Sequence, residues 1–189
     1  MPKPNVIPEP DWRAIFAAAN TYDQWRARGE YPKNLEAMET IRKDQVLGPD
    51  ACGFLARLDR TVNVLVMAED WCPDVVRHVP VLQKMTEYSG KLVVRYITRA
   101  DNLDVLVRFH TNGTESVPKM GFFNDAFALC CLWGPMPRDC RELIQRGRAC
   151  NDLKRAREKV FALYIEDAQR AEVVRELIAC IDIASAKSP

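Results

Sequence analysis

The sequence predicts an α/β domain: a central mixed sheet of about four strands flanked by helices, with helical extensions at both ends. Three observations carry the prediction. Val62 to Ala68 is a run of apolar residues interrupted only by Asn63, rich in valine, of the length of a buried strand. It leads through Glu69-Asp70-Trp71 into Cys72-Pro73 and a helical pattern, and the order then repeats: strand Leu92–Ile97, helix from Asp101-Asn102 with Leu103, Leu106, Val107 and Phe109. Strand-helix-strand-helix implies a parallel pair joined by a right-handed crossover. Lastly, Met120–Phe123 and Ala126–Trp133 flank a tight turn at Asn124-Asp125, as in a β-hairpin.

The remaining elements follow in order. Residues 1–10 hold four prolines and are expected to be an extended arm. Asp11 can cap one helix running to about Arg28, with Trp12, Ile15, Phe16 and Trp25 on its apolar side and Gly29 ending it. Asn34 can cap a second helix with Leu35, Met38, Ile41 and Val46 on one face, and Gly48-Pro49-Asp50 starts a third. The apolar stripes of this segment are expected to pack on the domain. Pro73 suits the first turn of the central helix, where its missing N–H costs nothing. That helix should end near Ser89-Gly90, and Asn112-Gly113 is a turn. From Arg138 to Ala184 the pattern is helical, with one break expected near Glu166-Asp167, where Asp167 can cap the last helix. Arg138, Arg141, Arg146, Arg148, Lys154, Arg155 and Arg157 read as a solvated helix face, with a site for an acidic partner as the alternative. The chain thus divides into residues 1–60, 61–135 and 136–189 of a single domain.

Composition bounds the function. A 189-residue chain can bury a sizeable core; 48% apolar and 28% charged residues are ordinary for a globular protein. A net charge of +1 gives no footprint for nucleic acid or membrane, and no apolar run approaches the ~18 residues of a span. Met1-Pro2-Lys3-Pro4-Asn5 lacks an apolar signal region, so a cytoplasmic location is expected. Seven cysteines without a paired framework fit a reducing compartment, and two histidines with no Cys-x-x-Cys argue against a metal site.

At Val62–Pro80 the chain resembles the thioredoxin superfamily. The match consists of the apolar strand, Trp71-Cys72 at the mouth of a helix, and Pro80, placed to kink that helix. Ser116-Val117-Pro118 before Lys119–Phe123 is similar to the Val-Pro step and following strand of the same fold. Glu69–Asp74, the long helical N-terminal extension and Leu132-Trp133-Gly134-Pro135 look like a bacterial branch of thioredoxin-like proteins. The resemblance implies a thioredoxin-like fold, Cys72 as nucleophile, a cis Pro118 facing it, and a substrate groove built from Trp71, Pro73, Val117 and Pro118. Two departures stand out. Val75 occupies the position of the second cysteine, and Val66 that of the buried acid which serves it in dithiol members.

The expected chemistry is therefore monothiol exchange. Cys72 attacks a disulfide and an external thiol resolves the product. Glutathione is a candidate co-substrate, no cofactor is expected, and partners would be a disulfide-containing protein or glutathione. A helix N-terminus should lower the Cys72 pKa modestly, against the opposing charges of Glu69, Asp70 and Asp74. The alternatives are a non-catalytic module that binds a protein or peptide in the same groove, and a glutathione-dependent enzyme. His78, off the helical face of Cys72, is expected at the surface. Cys130 and Cys131, adjacent on a strand, should point to opposite faces; Cys52, Cys140, Cys150 and Cys180 fall in helical segments and read as structural.

Overall fold

The structure, a computed structural model, describes residues 9–187 apart from 101 and 112. Most of the expected N-terminal arm, Asp101 and Asn112 lie outside the described residues.

Among the described residues four helices come first: α1 (Trp12–Ala18), α2 (Tyr22–Ala27), α3 (Pro32–Asp44) and α4 (Pro49–Ala56). The central part is β1 (Val62–Met67), α5 (Pro73–Thr86), β2 (Leu92–Ile97), α6 (Leu103–Arg108), β3 (Lys119–Phe123) and β4 (Leu129–Trp133). Three helices close the chain: α7 (Arg138–Ala149), α8 (Leu153–Glu166) and α9 (Ala171–Ser185). The strand order is β2-β1-β3-β4. β1 runs parallel to β2, from Val62 opposite Leu92 to Met67 opposite Ile97, and antiparallel to β3; β3 and β4 form the hairpin. This is the mixed four-stranded sheet that the pattern requires.

All six residues of β1 are buried because helices cover both faces of the sheet. On one face Trp12 of α1 stacks on Phe109 and tilts against Phe123, with ring centroids 5.9 and 5.1 Å apart. Gly121 makes room for that layer: a Cβ there would lie 2.8 Å from Phe109 Cζ. On the other face α5 and α9 pack beside one another, and Trp25 of α2 meets Tyr96 at 5.4 Å. The N-terminal aromatic residues are thus part of the core.

Several boundaries differ from the sequence reading. The helix expected from Asp11 to Arg28 is two. Asn20 exchanges backbone hydrogen bonds with Tyr96 at 2.9 and 2.8 Å, which stops α1, and Thr21 and Gln24 then cap α2 reciprocally. α3 starts at Pro32, not after Asn34, whose amide instead donates to the Asp70 carbonyl at 2.7 Å. Val46 lies beyond α3 and is exposed. The hairpin turn is longer than Asn124-Asp125, because the Asn124 side chain accepts the N–H groups of Ala126 and Ala128. A second break falls at Cys150–Asp152, where Asn151 takes a left-handed conformation and α7 and α8 fold together at Gly147. Asp167 does accept the N–H groups of Ala171 and Glu172, at 2.6 and 3.1 Å, as α9 begins.

Candidate active site

Cys72 is the N-cap of α5, and Pro73 opens the helix. The thiol is almost buried, and its Sγ lies 3.3 Å from the Val117 carbonyl oxygen. The Val117–Pro118 peptide bond that follows is cis. A cleft of about 310 Å³ opens over this pair. Trp71, Cys72, Asp74 and Val117 line one side; Arg99, Thr111, Thr114, Glu115, Pro135, Met136, Arg141 and Arg148 contribute to the remainder.

The loop that carries Trp71 and Cys72 is held from the N-terminal helices. Trp25 Nε1 donates to the Ala68 carbonyl at 3.2 Å. The Asp70 carboxylate accepts the backbone N–H groups of Glu30 and Tyr31, at 2.6 and 2.8 Å. Glu69 accepts the Arg99 N–H at 2.7 Å. Asp70 is therefore spent on positioning the loop.

The electrostatics correct the expected thiol chemistry. Burial pushes the Cys72 thiol above its ordinary pKa, the charges of Asp74 and Glu69 add to the rise, and the backbone N–H groups of Val75 and Asp74 only partly offset it. The helix N-terminus is present; desolvation outweighs it. In the resting protein Cys72 is a neutral thiol that donates to Val117.

Residues 22–154 match the family described as thioredoxin. The chain belongs to the thioredoxin family. Among solved structures it is similar to a protein of unknown function from Pseudomonas aeruginosa, at 16% identity over 92% of this chain and 98% of the other, with a TM-score of 0.70. It is likewise similar to an HIV epitope scaffold, at 16% identity over the same shares, with a TM-score of 0.72. At that identity the likeness is one of fold. No curated protein matches the sequence.

Measured against the site residues expected from sequence, this thioredoxin-family chain brings Trp71, Cys72 and Val117 together on the cleft. Pro73 is exposed beside it and Pro118 is buried behind Val117. Val75 and Val66 are fully buried and apolar, so the positions of a second cysteine and its acid are filled by core. His78 is not at the surface. It has no exposure, because α9, β4 and α8 cover that side of α5. Its Nε2 lies 3.2 Å from the Tyr164 hydroxyl, which in turn donates to Asp74 Oδ1 at 2.9 Å. The hydroxyl has one proton and gives it to Asp74, so it accepts from His78, whose Nε2 must carry the hydrogen. Burial and the cations Arg77 and Arg170 hold the imidazole neutral, well below its ordinary pKa. Arg77 donates to the Tyr164 and Asp167 carbonyls, both at 2.8 Å, and covers the Tyr164 ring.

Sequence reasoning missed the far wall. Of the arginines expected on a solvated helix face, Arg148 is exposed and Arg141 half-buried, and α7 places both on the cleft beside Arg99. It also missed Tyr164, which fixes the carboxylate two residues after the cysteine. The only signal was spacing along α7: Arg141 and Arg148 are seven apart, on one helix face. Among the described residues no group of three or more His, Cys, Asp or Glu is placed to hold a metal, and no helix is long and apolar enough to cross a membrane.

Proposed function

We propose that the protein is a thiol–disulfide oxidoreductase of monothiol type, a monothiol member of a bacterial branch of its family, with Cys72 as nucleophile. The observation that carries the reading is the Cys72 thiol at the mouth of α5, 3.3 Å from the Val117 carbonyl at the floor of an open cleft. Removal of the Cys72 proton starts the cycle. The open cleft gives the proton a route to solvent, and the charge of Asp74 on the cleft wall opposes its loss. The thiolate attacks one sulfur of a substrate disulfide; the S–S bond breaks, a Cys72 mixed disulfide forms, and the other sulfur leaves as a thiolate that takes up the proton. An external thiol then attacks the mixed disulfide and releases Cys72. Val75, in place of a second cysteine, makes the external thiol necessary.

Trp71, half exposed at the rim, and the backbone of Val117 would hold an extended substrate segment. Arg99 is paired with Glu115 on the cleft wall, and Arg141 and Arg148 favour an anionic substrate or co-substrate, which suits glutathione or a glutathionylated protein. We place this chemistry in the cytoplasm, where external thiols are abundant.

A second reading has its own support. The raised Cys72 thiol fits a binding module that holds a peptide without exchange. The test is incubation with oxidised glutathione followed by intact-mass analysis of wild type and Cys72→Ser. Exchange predicts a glutathione adduct on Cys72 and loss of reductase turnover in the variant. Turnover unaffected by Cys72→Ser would sink the catalytic reading.

A further inference from the structure

The geometry points to a second redox centre, remote in function from Cys72: Cys131 of β4 and Cys180 of α9 form a dithiol that a low-molecular-weight disulfide oxidises to an intramolecular disulfide. Their sulfurs lie 2.6 Å apart, 49 residues apart in sequence. Both are free thiols here, Cys131 half-buried and Cys180 buried.

The register of two elements puts them there. Cys131 and Trp133 are two apart on β4, opposite Phe122 and Met120 of β3, and so share one face. Glu176 and Cys180 are four apart on α9 and share one face. Two residues of strand span ~6.8 Å and four of helix ~6 Å, so the two pairs can be matched rung by rung. The first rung is the Trp133 Nε1 bond to the Glu176 carboxylate at 2.5 Å. Glu176 also accepts the Arg138 N–H at 2.8 Å, which fixes α9 at the start of α7. With that rung set, the second brings Cys131 onto Cys180.

Cys130 supplies an internal contrast. It falls at the irregularity of the hairpin, between Leu129 opposite Phe123 and Cys131 opposite Phe122, and its thiol donates to the Ala128 carbonyl at 3.2 Å. Adjacency in sequence therefore does not make it a partner.

The chemistry has a direction. The contact between the two thiols lowers Cys131, the half-buried one, and the same contact together with burial raises Cys180. Cys131 is also the more accessible of the two. Its thiolate attacks a small disulfide of the oxidised-glutathione class, forming a mixed disulfide and expelling one thiol. Cys180 loses its proton and attacks the Cys131 sulfur, closing the protein disulfide and expelling the second thiol. Two protein thiols are oxidised and one small disulfide is reduced. Oxidation would lock α9 onto β4 and with it the C-terminal segment that supplies Arg141 and Arg148 to the cleft. In a reducing compartment the bond would be transient, reporting the local redox state.

The experiment uses the full chain with Cys72→Ser, so that failure here is separate from failure of the oxidoreductase reading. Reduced protein is incubated with oxidised glutathione, blocked with N-ethylmaleimide, digested and mapped by mass spectrometry. The expected result is loss of two alkylatable thiols, a cross-linked Cys131–Cys180 peptide, alkylated Cys130, and reversal by reduced glutathione. Adding Cys180→Ala should leave glutathione trapped on Cys131. The inference is overturned if Cys131 and Cys180 both stay fully alkylatable, or if the reaction stops at a stable glutathione adduct with Cys180 intact.

Discussion

Replacing Tyr164 with phenylalanine removes one oxygen and keeps the ring that packs between Arg77 and His78. Two contacts go with that oxygen: the bond to Asp74 at 2.9 Å and the contact to His78 Nε2 at 3.2 Å. A hydrogen bond to a charged acceptor contributes about 1.5–3 kcal/mol net, and an unpaired buried donor costs about 1–3 kcal/mol. The Asp74 side chain is 24% exposed, so water replaces part of the first loss. His78 is fully buried, and Asp74 Oδ1 is 3.8 Å from its Nε2, too far for a hydrogen bond. Since the two losses share one network, the expected cost is roughly 2–4 kcal/mol rather than their sum. For a chain of this size that is a fall in Tm on the order of 10 °C. Urea unfolding of wild type and Tyr164→Phe measures it, with Phe161→Ala, an exposed position on the same helix, as a control expected within about 0.5 kcal/mol. A loss below about 0.5 kcal/mol in Tyr164→Phe at unchanged m would refute the hydrogen-bonded trio.

Three further outcomes are expected. His78 is neutral in the folded state and protonates near its ordinary pKa of 6.5 when unfolded, so the unfolded chain binds more protons below that pH. Its contribution is full above about pH 6.5 and declines as pH falls, by up to ~1.4 kcal/mol per pH unit. Asp74, raised by burial, works in the opposite sense at lower pH. A stability profile of His78→Phe should lack the loss just below pH 6.5; an unchanged profile would rule the imidazole out as its source. In Asp74→Asn the Tyr164 bond can persist while the charge facing Cys72 disappears, so the pH midpoint of Cys72 alkylation should fall, yet stay above that of a free cysteine because burial is the larger cause. A rise, or no change, would mean that Asp74 does not act on the thiol. Gly147→Ala places a Cβ 2.4 Å from that of Ala156 and 3.0 Å from the Asp152 carbonyl oxygen, where α7 meets α8. Overpacking of about 1–3 kcal/mol should exceed the helix-propensity gain of about 1 kcal/mol, and denaturant melts should show net destabilisation.

Much of the architecture was legible in the residues. β1, β2 and the start of α5 follow from local chemistry: β-branched runs make strands, and Pro73 after Cys72 makes a helix entrance. The same local signals misplaced α1 and α2, since what stops α1 is a backbone pairing between Asn20 and a strand 76 residues away. His78 was misread for a similar reason. Its own helix face suggests solvent, but the face is covered by α8 and α9, which arrive from the far end of the chain.

The sequence by itself determined the sheet, the position of Cys72 at a helix mouth, and the absence of a second cysteine at Val75. Each depends on residues within a few positions of one another, where propensity and hydrogen-bonding rules act. Tertiary structure alone decided the protonation state of Cys72, the arginine wall of the cleft, the Asp74–Tyr164–His78 network and the meeting of Cys131 with Cys180. Those depend on desolvation and on distances between segments remote in sequence, which only the packing of α7, α8 and α9 onto the domain sets.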